Sequence, residues 1–179
     1  MNLNIKTSAG AVLSTVVLAI VPLLTSGQAR EALEQRHRQY LAPKAKDHSV
    51  SIRTFFGDLN GDGVSDALLE WCIDATDEDR GAGGGNALML MSCLESGFAV
   101  YLRNGTTFRL AADVSPDGFA EPGYLPFNVE SIKDGKVYCT ATGYADEDPR
   151  CCPSLNGTIY LRWDGNKLVR PAQQVMITK

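Results

Sequence analysis

Nine consecutive residues, 58–66, carry the side chains best placed for chemistry: Asp-Leu-Asn-Gly-Asp-Gly-Val-Ser-Asp. Oxygen-bearing groups fall at alternate positions, Asp58, Asn60 and Asp62, and Asp66 closes the run. Gly61 and Gly63 let the backbone coil tightly between them. A hard cation such as Ca2+ takes about six to eight oxygens at short range, and a coiled segment of this composition supplies them. Three carboxylates this close repel one another unless a cation sits among them. A plain Asn-Gly or Asp-Gly turn has no need of that crowding. The chemistry expected here is Ca2+ binding, and its role is structural: an ion fixing the turn that sets strand register.

A helix-flanked calcium hand does not fit. Such a loop needs a bidentate Glu at its twelfth position. Counting from Asp58, that position is Leu69, and Glu70 comes one place late. The residues before the loop also alternate as a strand does.

With its lead-in Phe55-Phe56-Gly57, the loop resembles the calcium loops of FG-GAP repeats in integrin-type propellers and related bacterial surface proteins. Those loops join two strands, with acidic or amide side chains at positions one, three, five and nine and a backbone carbonyl at seven. The resemblance implies a ligand set of Asp58, Asn60, Asp62 and Asp66 with the carbonyl of Val64. It covers about a dozen residues. A propeller needs several blades, and this chain has one loop and no long internal repeat, so the ligand pattern carries over and the propeller does not.

Other motifs point to less. The glycine-rich 81–85 lacks the Lys-Ser or Lys-Thr that a phosphate loop requires. Asp74, Asp77, Glu78 and Asp79 precede it, and Asp146, Glu147 and Asp148 form a second acidic run; both read as solvated loops. If such carboxylates converged, an envelope hydrolase with an acidic, Ca2+-assisted site would be the alternative function, and a secreted inhibitor or immunity protein is a further one. No pair is singled out as catalytic, so the expectation is of a protein that acts by binding rather than turnover.

All five cysteines lie beyond residue 71: Cys72, Cys93, Cys139, Cys151 and Cys152. They fit an oxidising compartment. Cys72 and Cys93 flank the acidic, glycine-rich loop and meet if their strands pair. Cys139 could similarly reach Cys152 or Cys151 across 144–149, and the connectivity stays open. The string Asp148-Pro149-Arg150-Cys151-Cys152-Pro153-Ser154 resembles the C-terminal segment of several small exported bacterial proteins and lipoproteins whose roles are not established. Structural bridging is expected of these cysteines rather than catalysis, because no histidine stands nearby to lower a thiol pKa.

The elements that must position this loop begin after an N-terminal segment of a different character. Residues 1–29 contain one charged side chain, Lys6, then an apolar run at 11–24 and a small, polar stretch ending at Ala29. That order describes a secretory signal peptide cleaved after Ala29, although 7–29 is also long enough to span a bilayer as an anchor. Cleavage leaves about 150 residues, enough for one domain with a proper core. The whole chain carries a net charge of −4. A mildly acidic protein without a long basic run is a poor candidate for nucleic-acid binding. The expected location is the bacterial periplasm or the exterior, the partner an unknown protein or envelope component, and no membrane contact persists after cleavage.

Residues 30–48 are expected to form a helix and linker, with the helix over 30–42, its stripe at Leu33, His37, Tyr40 and Leu41, and its end at Pro43. His37 reads as a packed histidine, and His48 has no assigned role. From 49 to 179 the chain reads as strands and turns: 50–56, 66–73, 87–93, 98–103, 107–112, 129–132, 137–142, 159–163 and 168–169. Only 67–72 could pass for a helix. The fold class is therefore α+β, mainly one antiparallel and strongly curled sheet with the N-terminal helix laid against it.

Overall fold

The computed structural model describes residues 26–82, 93–114, 128–143, 145–149, 154–171 and 176–178. The apolar run, most of the glycine-rich stretch, the 87–92 segment, the 115–126 loop and Cys151-Cys152 lie outside the described residues. No helix among the described residues is long and apolar enough to cross a membrane.

Helix α1 (Ser26–Ala45) begins before the expected cleavage point and continues past Pro43. Leu33, His37, Leu41 and Ala45 recur every four residues and are buried, whereas Tyr40 is 53% exposed and outside the stripe. Pro43 does not end the helix. It sits in the last turn, and the stop is Lys46, which takes a left-handed φ of 52° and returns its N–H to the Ala42 carbonyl at 3.0 Å.

The strands form two sheets, not the one expected. β1 (Val50–Gly57), β2 (Asp66–Asp74), β3 (Cys93–Asn104) and β4 (Thr107–Val114) make an antiparallel meander in that order. A six-residue helix, α2 (Asp77–Ala82), lies between β2 and β3, where a plain break was expected. β5 (Asn128–Lys133), β6 (Lys136–Gly143), β7 (Leu155–Trp163) and β8 (Leu168–Val169) make the second meander, and β9 (Met176–Thr178) also pairs with β7. The architecture is thus mainly antiparallel β with a helix near the N-terminus.

Two sheets are needed because β2 and β3 are apolar on both faces. Ala67, Leu68 and Leu69 have no exposure at all, nor have Ala99 and Val100. Leu68, Phe98 and Val100 pack with Val129, Val137, Ile159 and Leu161 of the second sheet. Ala67, Leu69, Trp71, Ile73 and Tyr101 pack on the other side with Leu33 and Leu41 of α1. One helix covers one face of a sheet, so the second face requires a second layer. Residues 67–72 are strand throughout, each paired with β1 and β3. Trp71 lies across Gly97, where a side chain would collide with its ring. Its indole N–H donates to Asp113 at 2.9 Å.

His37 is the polar centre of the helix–sheet contact. It is fully buried against Trp71, Tyr101 and Tyr40, with Nδ1 3.1 Å from the Tyr101 hydroxyl. Nε2 has no hydrogen-bond partner among the described residues. Burial pushes its pKa below the ordinary 6.5, opposed by the charge of Asp113. The unfolded chain therefore binds a proton below pH 6.5 that the folded chain refuses. Stability is retained above that pH and lost as pH falls from it toward the folded-state pKa, by at most about 1.4 kcal/mol per pH unit for one site. Urea unfolding at pH 7.5 and 5.5 is expected to show a steeper acid loss in the native protein than in His37→Phe. Equal slopes in the two proteins would remove His37 as the proton-linked group.

Candidate metal centre

The loop 58–66 joins β1 to β2, with Gly57 facing Asp66 in register at its base. Gly57 has no room for a side chain because Ile132 of β5 lies against it. Within the loop Leu59 is the anchor: it is 3% exposed and belongs to the core between the sheets. This apolar plug holds the loop against the end of the sandwich, opposite the β5–β6 and β7–β8 turns.

The remaining residues coil outward, with Gly61 and Gly63 at φ of 80° and 79°. The oxygens inside the coil take the backbone N–H groups in sequence. Asp58 accepts from Gly61 at 2.7 Å with Oδ1 and from Gly63 at 2.9 Å with Oδ2. Asn60 Oδ1 accepts from Asp62 at 3.0 Å, and Asp62 Oδ1 accepts from Val64 at 2.7 Å. The Asn60 amide also donates to Asp62 Oδ2 at 2.9 Å. The Gly63 N–H, foremost among these donors, holds the Asp58 carboxyl below its usual range and keeps it ionised. Val64 stands 38% exposed at the tip.

Asp66 behaves differently from the other acids. It is wholly buried, and its Oδ2 accepts the Leu59 N–H at 3.0 Å while Oδ1 accepts the Arg103 N–H of β3 at 2.9 Å. This carboxylate ties the loop to the middle of the first sheet. Sequence reasoning placed it among the ligands and missed its structural part, which no local pattern signals because Arg103 is 37 residues away.

Among the described residues, no three His, Cys, Asp or Glu side chains converge as metal ligands do. The loop's own chemistry still suits a hard cation. Its exposed groups are oxygens, and each oxygen with one N–H partner keeps a further lone pair. Asp58, Asn60 and Asp62 meet that test on the outer part of the coil; Asp66 also has one N–H partner per oxygen but is wholly buried behind them.

The acidic loops are occupied by backbone and hydroxyl donors. Asp79 caps α2, accepting from the Thr76 N–H at 2.7 Å and its hydroxyl at 2.6 Å, and His48 Nε2 stands 3.0 Å from the same oxygen. This gives His48 a structural partner that the sequence did not suggest. Asp74 accepts from the hydroxyls of Ser49 and Ser51 at 2.7 and 2.9 Å. Asp148 accepts from the Ala145 and Ser154 N–H groups, both at 2.7 Å, and closes its own turn. Among the described residues Glu70 is the one acid pushed upward by burial, and Arg53 pairs with it.

The Cys72–Cys93 bridge expected from strand pairing is present, with Cα atoms 5.4 Å apart. Cys139, a candidate for a second bridge toward Cys151 or Cys152, is free and buried instead. The reason is its face on β6, where it belongs to the core between the sheets, and burial pushes its thiol up to about 12.

Protein-family profiles, curated proteins and solved structures give no match to this chain.

Two outcomes follow from this geometry. Asp66→Ala leaves two backbone donors without partners and is expected to lower stability by about 3 kcal/mol in urea unfolding without added metal. A loss below about 0.5 kcal/mol would show that Asp66 is not a strut. Iodoacetamide at pH 8 is expected to spare Cys139 in the folded protein and modify it in denaturant, read by peptide mass spectrometry. Modification of Cys139 in the folded state would contradict its burial.

Proposed function

We propose that this chain is an exported, disulfide-containing envelope protein that acts by binding or interaction, with Ca2+ held structurally in the 58–66 loop. The observation that carries the proposal is the coil itself. The N–H groups of residues 61–64 are taken by the side-chain oxygens of Asp58, Asn60 and Asp62, which holds those oxygens along one tight coil. Asp58, Asn60, Asp62 and the Val64 carbonyl would hold the ion, with the remaining lone pairs of Asp66 behind them. Binding would exchange the Asn60–Asp62 hydrogen bond for contacts between oxygen and metal. An ion there fixes the β1–β2 turn and, through Asp66, its position against β3.

Export is supported by two independent features. Residues 1–29 have the charge and apolar order of a secretory signal peptide. The Cys72–Cys93 bridge is of a kind that persists in oxidising compartments. The periplasm or the exterior is the corresponding location.

Extracellular calcium modules bind on the order of 10⁻⁴–10⁻³ M, so a few millimolar Ca2+ stabilises such a fold by about 1–2 kcal/mol. The melting temperature of the oxidised protein is expected to rise by about 2–6 °C between EDTA and 5 mM Ca2+. Asp62→Ala is expected to abolish that rise. An unchanged melting temperature in the native protein would reduce the loop to a polar turn.

A further inference from the structure

The second sheet has one face in the core and one that no described helix covers. Alternation along β6 and β7 sends Val137, Cys139, Ile159 and Leu161 inward and leaves the residues between them outside. Those outward residues form rows across the strands. Lys133 pairs with Lys136, and Lys136 pairs with Arg162. In the next row Tyr138 pairs with Tyr160, and in the next Thr140 pairs with Thr158. The two tyrosine rings stand 6.2 Å apart, and the Lys136 ammonium lies 5.0 Å from the Tyr160 ring centre.

The cationic row is unusual on two counts. Like charges set directly opposite on neighbouring strands are destabilising. None of the three cations has a carboxylate at ion-pair distance among the described residues, although the chain as a whole is acidic. Glu130 accepts from the Thr140 hydroxyl at 3.2 Å, two rows from the cations, while Lys133 and Arg162 line a cleft with Asp58, Asp134 and Asp164. An anion laid across the row would relieve that repulsion.

We propose that the outer face of the second sheet binds an acidic polysaccharide. Arg162 takes a carboxylate in its planar fork, with Lys133 and Lys136 beside it. The tyrosine row receives the C–H face of the adjoining sugar ring, and the threonine hydroxyls meet its hydroxyl groups. Three strands and three rows span roughly 10 by 14 Å, room for two or three sugar residues. A glycan fits better than a nucleic acid because the bridged Cys72–Cys93 pair belongs to compartments where acidic glycans are the common polyanions. This inference shares the binding role argued above and does not depend on the ion.

The test uses the oxidised full chain in EDTA with hexagalacturonate, maltohexaose and a ten-residue oligo-dT, each by calorimetric titration. Hexagalacturonate is expected to bind, with maltohexaose at least tenfold weaker and oligo-dT weaker than the uronate. Lys136→Glu is expected to weaken uronate binding at least tenfold while raising the melting temperature by about 1–4 °C, because it replaces two like-charge pairs, with Lys133 and with Arg162, by opposite ones. That rise separates a lost ligand contact from a damaged fold. Asp62→Ala is expected to keep uronate binding, so failure of the ion site and failure of this face are distinguishable. Absent uronate binding, equal binding of the neutral sugar, preference for oligo-dT, or undiminished binding by a folded Lys136→Glu would each overturn the proposal.

Discussion

Burial of β2 and β3 on both faces is the constraint from which the other layers follow. A strand whose successive residues are all apolar has no side that tolerates water. The helix takes Ala67, Leu69, Trp71 and Ile73, and the second sheet takes Leu68 with its neighbours from β3. Truncating one such residue to alanine removes about 2–5 kcal/mol, comparable to a large part of a domain's net stability. Placement of α1 and of the second sheet is therefore coupled through a single hydrogen-bonded pair of strands. The Trp71 ring over Gly97 and its bond to Asp113 extend that coupling to β4.

The candidate ion loop inherits its position from the same layer. Leu59 inserts into the core between the sheets, and Asp66 bonds back to β3, so both ends of the coil are held by the protein's interior. Only the middle of the loop, where Asn60, Asp62 and Val64 stand, faces solvent. A ligand-binding turn anchored at both ends loses little further freedom when occupied, which favours affinity at small entropic cost.

Much of this arrangement was legible in the residue order. Asn104-Gly105 and Asp134-Gly135 are hairpin signals in the residue order, and both form turns, with positive φ at Gly105, Asp134 and Gly135. Leu33, His37 and Leu41 mark the buried stripe of α1, and Cys72 meets Cys93. The division into two sheets was not legible, because a continuous apolar strand shows that both faces are covered without saying by what. Pro43 misled because it removes one helix hydrogen bond without ending the helix, which runs on to Ala45 until Lys46 supplies the stop. In the loop, the oxygen pattern located the coil. The tie from Asp66 to Arg103 was invisible, because a pairing across 37 residues leaves no periodic trace. Cys139 was a bridge candidate; alternation along β6 turns it inward instead.

The bridge between β2 and β3 also bears on how this protein can vary. Cys72 and Cys93 are joined where the two strands leave the sheet, and 21 positions of sequence separate them. Everything between them is closed off at its root by a covalent bond, so its length is uncoupled from the register of the strands that carry the core. Doubling such an excursion costs only about 0.6 kcal/mol in chain entropy, and the bridge confines that cost to the loop. Insertions, exchanged segments or a displayed foreign peptide would be tolerated there while β2 and β3 stay paired. Ile73 and Asp74 stay bound to that register, so the freedom belongs to the chain beyond them.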